Sequence, residues 1–217
     1  FLSLRRGDIP KENISFIVKS FLMNFFSYLY FFIYVPLVFY FIGPDVAGAL
    51  GLTITIIFSI QSLSISYISP KIKDFGIYIS QKKFKELDTL MKKTFVIPFF
   101  LYSFASIVIL LIIFLINEFN LSFSNRILNV KLTAIFLLNY FIQLLLYPLV
   151  LYVRAHKVEV FLPLTISTSV LCFILVYFSS MLGSLFYVAI STLLITFLTA
   201  PFIIYQYKKF RVLNNNL

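Results

Sequence analysis

The chain has 217 residues, is 61% hydrophobic with a mean hydropathy of +0.99, and carries a formal net charge of +10. That apolar content excludes an ordinary soluble domain, which could bury a core of this size but could not hide six helices that are apolar all round. Combined with it, the positive charge reads as attraction to anionic lipid headgroups before nucleic acid, and no nucleic-acid partner is expected.

Six apolar stretches follow in order, at about 14–42, 45–69, 94–116, 128–153, 159–180 and 183–206. Each reaches the ~20 residues that cross a hydrocarbon core about 30 Å thick. The runs are continuous rather than alternating, so helices are predicted rather than barrel strands. The expected fold class is therefore all-α: a polytopic membrane protein with a six-helix bundle over 14–207, a basic segment over 1–13 and a tail over 208–217. Because the chain opens without Met, as Phe1-Leu2-Ser3-Leu4-Arg5-Arg6, it reads as starting inside a longer protein.

The first stretch carries a polar arc of Ser20, Asn24, Ser27, Tyr30 and Tyr34, with Lys19 at its edge and Pro36 inside it as a kink candidate. A tight turn at Ile42-Gly43-Pro44-Asp45 leads to the second stretch, and Pro44 suits a first helical position. Along that second stretch Gly48, Gly51, Thr55, Ser59, Ser62, Ser66 and Ser69 step by 3, 4, 4, 3, 4 and 3. This seam of small and hydroxyl residues is expected either to pack against a neighbouring helix or to wall a polar cavity, with Gln61 just off it. Within the basic 70–93 connection, Ile77–Lys93 is predicted as one amphipathic helix. Lys82, Lys83, Lys85, Lys92 and Lys93 would meet inner-leaflet phosphates, or else face water on a linker helix. Residues 117–127 are polar. The fourth stretch sets Asn139, Gln143 and Tyr147 at i, i+4 and i+8 before Pro148, and ends at the short basic run Arg154-Ala155-His156-Lys157. The lone Cys172 lies in the fifth stretch, forms no intrachain disulfide and reads as a packing residue. The sixth carries Ser184, Ser191, Thr192, Thr196 and Pro201, before a tail expected to be disordered at Asn214-Asn215-Asn216.

If residue 1 is cytoplasmic, sixteen of the eighteen Lys and Arg residues fall on the cytoplasmic side and only Arg126 and Lys131 on the other. That asymmetry predicts both termini in the cytoplasm. Amides in hydrocarbon are costly unless bonded, so Asn24, Gln61, Asn139 and Gln143 are expected to meet other helices or an aqueous cavity. Lys19 lies about five residues into its helix. It either snorkels to the headgroups or faces the cavity as its cation. No catalytic residue, cofactor or metal site is expected. The one His lies in a loop, no His/Cys/Asp/Glu cluster has ligand spacing, and no stretch contains a carboxylate inside it.

The segment Gly43-Pro44-Asp45-Val46-Ala47-Gly48-Ala49-Leu50-Gly51-Leu52 resembles the oligosaccharide flippases of the multidrug/oligosaccharidyl-lipid/polysaccharide exporter superfamily. Ile68-Ser69-Pro70-Lys71 and Gln81-Lys82-Lys83-Phe84-Lys85-Glu86-Leu87-Asp88 are similar to that family's basic loop. The resemblance is most specific over 36–93. It implies one six-helix lobe, the C-terminal half of a transporter of the bacterial inner membrane, whose partner is an N-terminal six-helix lobe. It further implies a lipid-linked substrate: an undecaprenyl-pyrophosphate oligosaccharide of the O-antigen or capsule type, moved by alternating access through a cleft between lobes. Lys19, Asn24, Ser27, Tyr30, Gln61, Ser62, Ser66, Asn139 and Gln143 are then the substrate-cavity candidates, and Pro36, Pro148 and Pro201 the hinge candidates. A drug/cation antiporter lobe and a membrane protein without transport are the alternatives.

Overall fold

Proline and glycine set the helix boundaries at the start of the bundle. The computed structural model describes residues 11–119, 124–156 and 160–215. Helix α1 (Lys11–Phe32) and α2 (Tyr34–Phe41) are two halves of one span, separated at Ile33. Pro36 accounts for the break, because it offers no N–H and its ring crowds the carbonyl four residues back, that of Phe32. The expected kink is thus an interruption. Gly43 ends α2 with φ 130°, a conformation that costs glycine little, and the amides of Ile42 and Gly43 both donate to the Val38 carbonyl at 2.9 and 3.1 Å. Pro44 then opens α3 (Pro44–Ile68) at its first position, as predicted.

A single 3-10 turn at Ser69–Lys71 joins α3 to α4 (Ile72–Ser80), and α5 follows (Phe84–Glu118). The single amphipathic helix expected over 77–93 is therefore not present. Lys82 takes φ 55°; its amide donates to Ile79 at 3.2 Å and that of Lys83 to Tyr78 at 2.9 Å. That paired closure ends α4 in a Schellman motif. Residues 84–93 become the first turns of a 35-residue helix that continues as the third span.

Helix α6 (Val130–Arg154) starts at Asn129, whose side chain accepts from the Leu132 amide at 2.9 Å. Helices α7 (Leu162–Met181) and α8 (Leu185–Asn215) complete the chain. Both Pro148 and Pro201 lie inside helices that run on through them. The tail expected to be disordered is helical as far as Asn215, while residues 216–217 lie outside the described residues, as do 1–10 of the basic segment, Asn120–Phe123 of the polar connection and Lys157 of the basic turn.

Six of these elements or helix pairs are long and apolar enough to cross a membrane, in agreement with the six predicted stretches. The protein is all-α among its described residues and is a multi-pass membrane protein. Helix α6 packs along α8, α8 along α7, α7 along α1 and α2, α2 along α3, and α3 along α6. These spans form a ring. Helix α5 lies outside it, against α3 and α6. It is the most apolar span, with Phe100 and Phe104 exposed, and so has least to gain by moving inward from lipid.

The main core joins Leu50 and Ile57 of α3, Phe136 and Tyr140 of α6, Cys172 and Val176 of α7, and Val188 and Ala189 of α8. Small residues such as Ala189 and Cys172 let backbones approach, which matters where hydrocarbon offers no hydrophobic drive between helices. Polar ties cross the interfaces. Tyr102 donates to the Leu137 carbonyl at 2.9 Å and Ser169 to the Phe26 carbonyl at 2.7 Å. A second cluster of Met23, Phe75, Leu87, Met91, Tyr152 and Phe161 closes the end of the bundle that carries α4.

Candidate functional site: a polar cavity within the helix ring

A cavity of about 400 Å³ opens inside the ring, with α1, α3, α6, α7 and α8 all contributing. The polar arc of α1 turns Asn24, Ser27 and Tyr30 toward it, because Met23 and Tyr30 of that helix are buried and fix its rotation. Helix α3 contributes Gln61, whose Nε2 donates to the Tyr140 carbonyl at 3.1 Å. That bond anchors the amide to α6 and satisfies a group that lipid could not.

The cavity's inner wall is a hydrogen-bonded cluster of α6 and α8. The Thr196 hydroxyl lies 2.6 Å from Asn139 Oδ1, and Gln143 Nε2 lies 3.4 Å from both Asn139 Oδ1 and Thr196 Oγ1. Tyr30 Oη joins from α1 at 3.4 Å from Thr196 Oγ1. Asn139 itself stands behind the wall, 1% exposed, and its Nδ2 has no hydrogen-bond partner among the described residues. Its acceptor serves two residues that do line the cavity, so it positions the lining rather than forming it.

From Gln143 the lining continues along one face of α6 through Tyr147 and Val150 to Arg154 at the helix's last residue. Eleven residues at ~1.5 Å each place Arg154 about 16 Å along the axis from Gln143. Among the described residues of the lining, Arg154 is the only cation, and there is no carboxylate. Thr165 and Thr168 of α7 and Thr199 of α8 add hydroxyls, while Phe58 and Phe161 add flat apolar faces. The arrangement offers both donors and acceptors to a hydroxyl-rich ligand and one positive charge at the end of the shaft.

Five of the predicted cavity residues thus meet: Asn24, Ser27, Tyr30, Gln61 and Gln143. Asn139 supports them from behind. Lys19 does not join them. It is exposed on α1 and outside the lining, as the snorkelling alternative requires, and the cavity's cation comes from α6. Ser62 and Ser66 are also absent from the lining.

Most of the predicted seam on α3 faces outward; Gly51 is half-buried against Val35 of α2, and Ser69 Oγ lies 3.4 Å from Tyr147 Oη of α6. Gly48, Thr55, Ser59, Ser62, Ser66 and Ser69 are exposed, and the buried face is instead Ala47, Leu50, Ile54, Ile57, Gln61, Ser64 and Ile68. The seam hydroxyls bond back to their own helix: Thr55 donates to Gly51, Ser59 to Thr55, Ser66 to Leu63 and Ser69 to Ile65, at 2.6–3.2 Å. Satisfied in this way, Thr55, Ser59 and Ser66 have no need of a partner within the ring.

Sequence reasoning missed Arg154, Thr165, Thr168 and Thr199. Arg154 falls just beyond the fourth apolar stretch, and its place as the last residue of α6 brings it into the lining. For α7 a signal was present in the spacing of Thr165, Thr168 and Ser169, at i, i+3 and i+4. No family model matches the chain, nor does any curated protein or solved structure.

Proposed function

We propose that this chain is a six-helix lobe of a transporter that carries an undecaprenyl-pyrophosphate-linked oligosaccharide across the bacterial inner membrane. It acts by alternating access together with a second six-helix lobe, and both described ends face the cytoplasm. One observation carries the reading: a membrane-embedded cavity lined by amides, hydroxyls and a single arginine, without a carboxylate among its described residues. Such a lining suits a polyhydroxylated ligand that bears phosphate. Amides and hydroxyls exchange bonds with sugar hydroxyls, and a guanidinium pairs with phosphate oxygens in a fork geometry, strengthened where water is scarce. The seam of α3 supports the partner lobe. Gly48, Thr55, Ser59, Ser62 and Ser66 give it an exposed face of small side chains, which allows a second bundle to approach closely. The sixteen-to-two distribution of cations supports the orientation.

A cation/drug antiporter lobe fits less well, since the described lining residues include Arg154 and no carboxylate to receive a cationic cargo. The test is export in cells that depend on this protein for surface polysaccharide. Arg154→Gln at normal protein level should reduce surface polysaccharide at least tenfold and accumulate the lipid-linked precursor inside, while Arg154→Lys retains part of the activity. Unchanged polysaccharide and precursor in the Arg154→Gln strain would refute the reading.

A further inference from the structure

The turn that splits the expected amphipathic helix also creates a second concave site. Between α4 and the first turns of α5 lies a notch of about 390 Å³, lined by Tyr78, Lys85, Glu86, Thr89, Leu90 and Lys93. Lys85, Thr89 and Lys93 stand at i, i+4 and i+8, one above another on a single face of α5. All three are exposed, while Leu87 and Met91 on the other face are buried against Phe75 of α4. The buried face leaves the lysine face no choice but to turn outward. The Schellman closure at Lys82 and Lys83 holds α4 and α5 in one relative geometry, so Tyr78 forms a fixed opposite wall. Thr89 spends its hydroxyl hydrogen on the Lys85 carbonyl at 3.0 Å and so shapes the floor rather than donating into the notch.

We propose that this notch is a binding site for one phosphodiester headgroup of an anionic glycerophospholipid in the cytoplasmic leaflet. The level is right. The apolar part of α5 begins just after Lys93, at Thr94 and Phe95, and Lys85 lies eight residues, about 12 Å, farther out. Lysine stems are long enough to bring both ammonium groups toward one phosphate across Thr89. The charge is right as well. Two lysines and Glu86 sum to +1, which matches a single phosphodiester and disfavours a second phosphate. The structure also divides the five lysines expected at the inner leaflet. Lys85 and Lys93 share the notch, whereas Lys83 and Lys92 are exposed outside it. The proposal rests on the membrane-spanning fold and on the proposed orientation, and is independent of the transport reading.

The probe is phosphatidylglycerol, compared with phosphatidylcholine and with excess inorganic phosphate, added to the delipidated protein and followed by native mass spectrometry. One phosphatidylglycerol per chain should be retained. Lys85→Gln/Lys93→Gln should weaken its retention about 30-fold, which corresponds to roughly 2 kcal/mol at ~1 kcal/mol per lysine. Lys83→Gln/Lys92→Gln removes the same charge and should stay within about threefold of the unsubstituted protein. Lys85→Arg/Lys93→Arg should retain the lipid, with thermal unfolding confirming that each variant is folded. Equal weakening by the two glutamine pairs would overturn the site in favour of diffuse charge attraction. Equal retention of phosphatidylcholine would overturn the anionic selectivity, and complete displacement by inorganic phosphate would overturn the lipid as ligand.

Discussion

Thr196 and Asn139 face each other across the α6–α8 interface with 2.6 Å between hydroxyl and amide oxygen. Asn139 Oδ1 also lies within reach of Gln143 Nε2, so one buried acceptor organises two residues of the cavity wall. Replacing it with an apolar side chain removes this contact between the two helices and leaves Thr196 with the Thr192 carbonyl of its own helix at 3.2 Å. Interhelical hydrogen bonds within membranes are worth about 0.6 kcal/mol on average and up to about 1.7. Asn139→Leu should therefore lower the unfolding free energy by about 1–2 kcal/mol, measured by denaturant or thermal unfolding in mild detergent. Thr199→Val makes the comparison, since that hydroxyl bonds only within its own helix, to the Thr196 carbonyl at 3.0 Å. If the two substitutions cost the same, the cluster contributes nothing beyond local packing.

The inversion of α3 yields a second prediction. Ile57 is completely buried, while Ser62 and Ser66 are exposed and Leu63 is 64% exposed. Ile57→Ala should cost about 2–5 kcal/mol and visibly reduce folded yield. Ser62→Leu and Ser66→Leu should leave folded yield nearly unchanged, because their surroundings are open and surface changes stay within about 0.5 kcal/mol. Under the proposed pairing of lobes, the same two leucines should still impair transport. Folded yield is read by size-exclusion profile, and export by surface polysaccharide. Loss of folding at Ser62 with tolerance at Ile57 would mean that α3 is rotated relative to this description.

Arg211 and Asp88 define the third. Arg211 Nη2 lies 2.9 Å from each oxygen of the Asp88 carboxylate, tying the last turns of α8 to the first turns of α5. Both side chains are about half exposed, so the pair contributes at most about 1 kcal/mol to global stability and is weakened by salt. Its effect should be local. Asp88→Asn should speed amide hydrogen exchange over residues 207–212 several-fold while shifting the unfolding midpoint by no more than 1–2 °C, roughly what a fraction of a kcal/mol moves in a protein of this size. No change in exchange would show that aromatic packing alone, such as Tyr152 on Tyr207 and His156 on Phe210, holds the helix end.

The six spans, the Gly43-Pro44 turn and the inward-facing amides were all legible from the residues alone, because each follows from a local or solvent-imposed rule. A backbone in hydrocarbon must bond within its own helix, Gly and Pro restrict φ and N–H supply, and an amide such as Gln61 or Gln143 needs a partner wherever it lies. Rotation of α3 was not legible. A serine that bonds back to its own helix is as acceptable facing outward as inward, and lipid supplies no hydrophobic force to choose between faces, so the packing of Ala47, Leu50 and Ile57 against the ring decided it. Nor was the cavity's cation. Lys19 and Arg154 both lie near span ends, and charge counting treats them alike. Only the tertiary arrangement leaves Lys19 exposed and outside the lining, and only the extension of α6 by one residue beyond the predicted stretch places Arg154 on the face it shares with Gln143 and Tyr147.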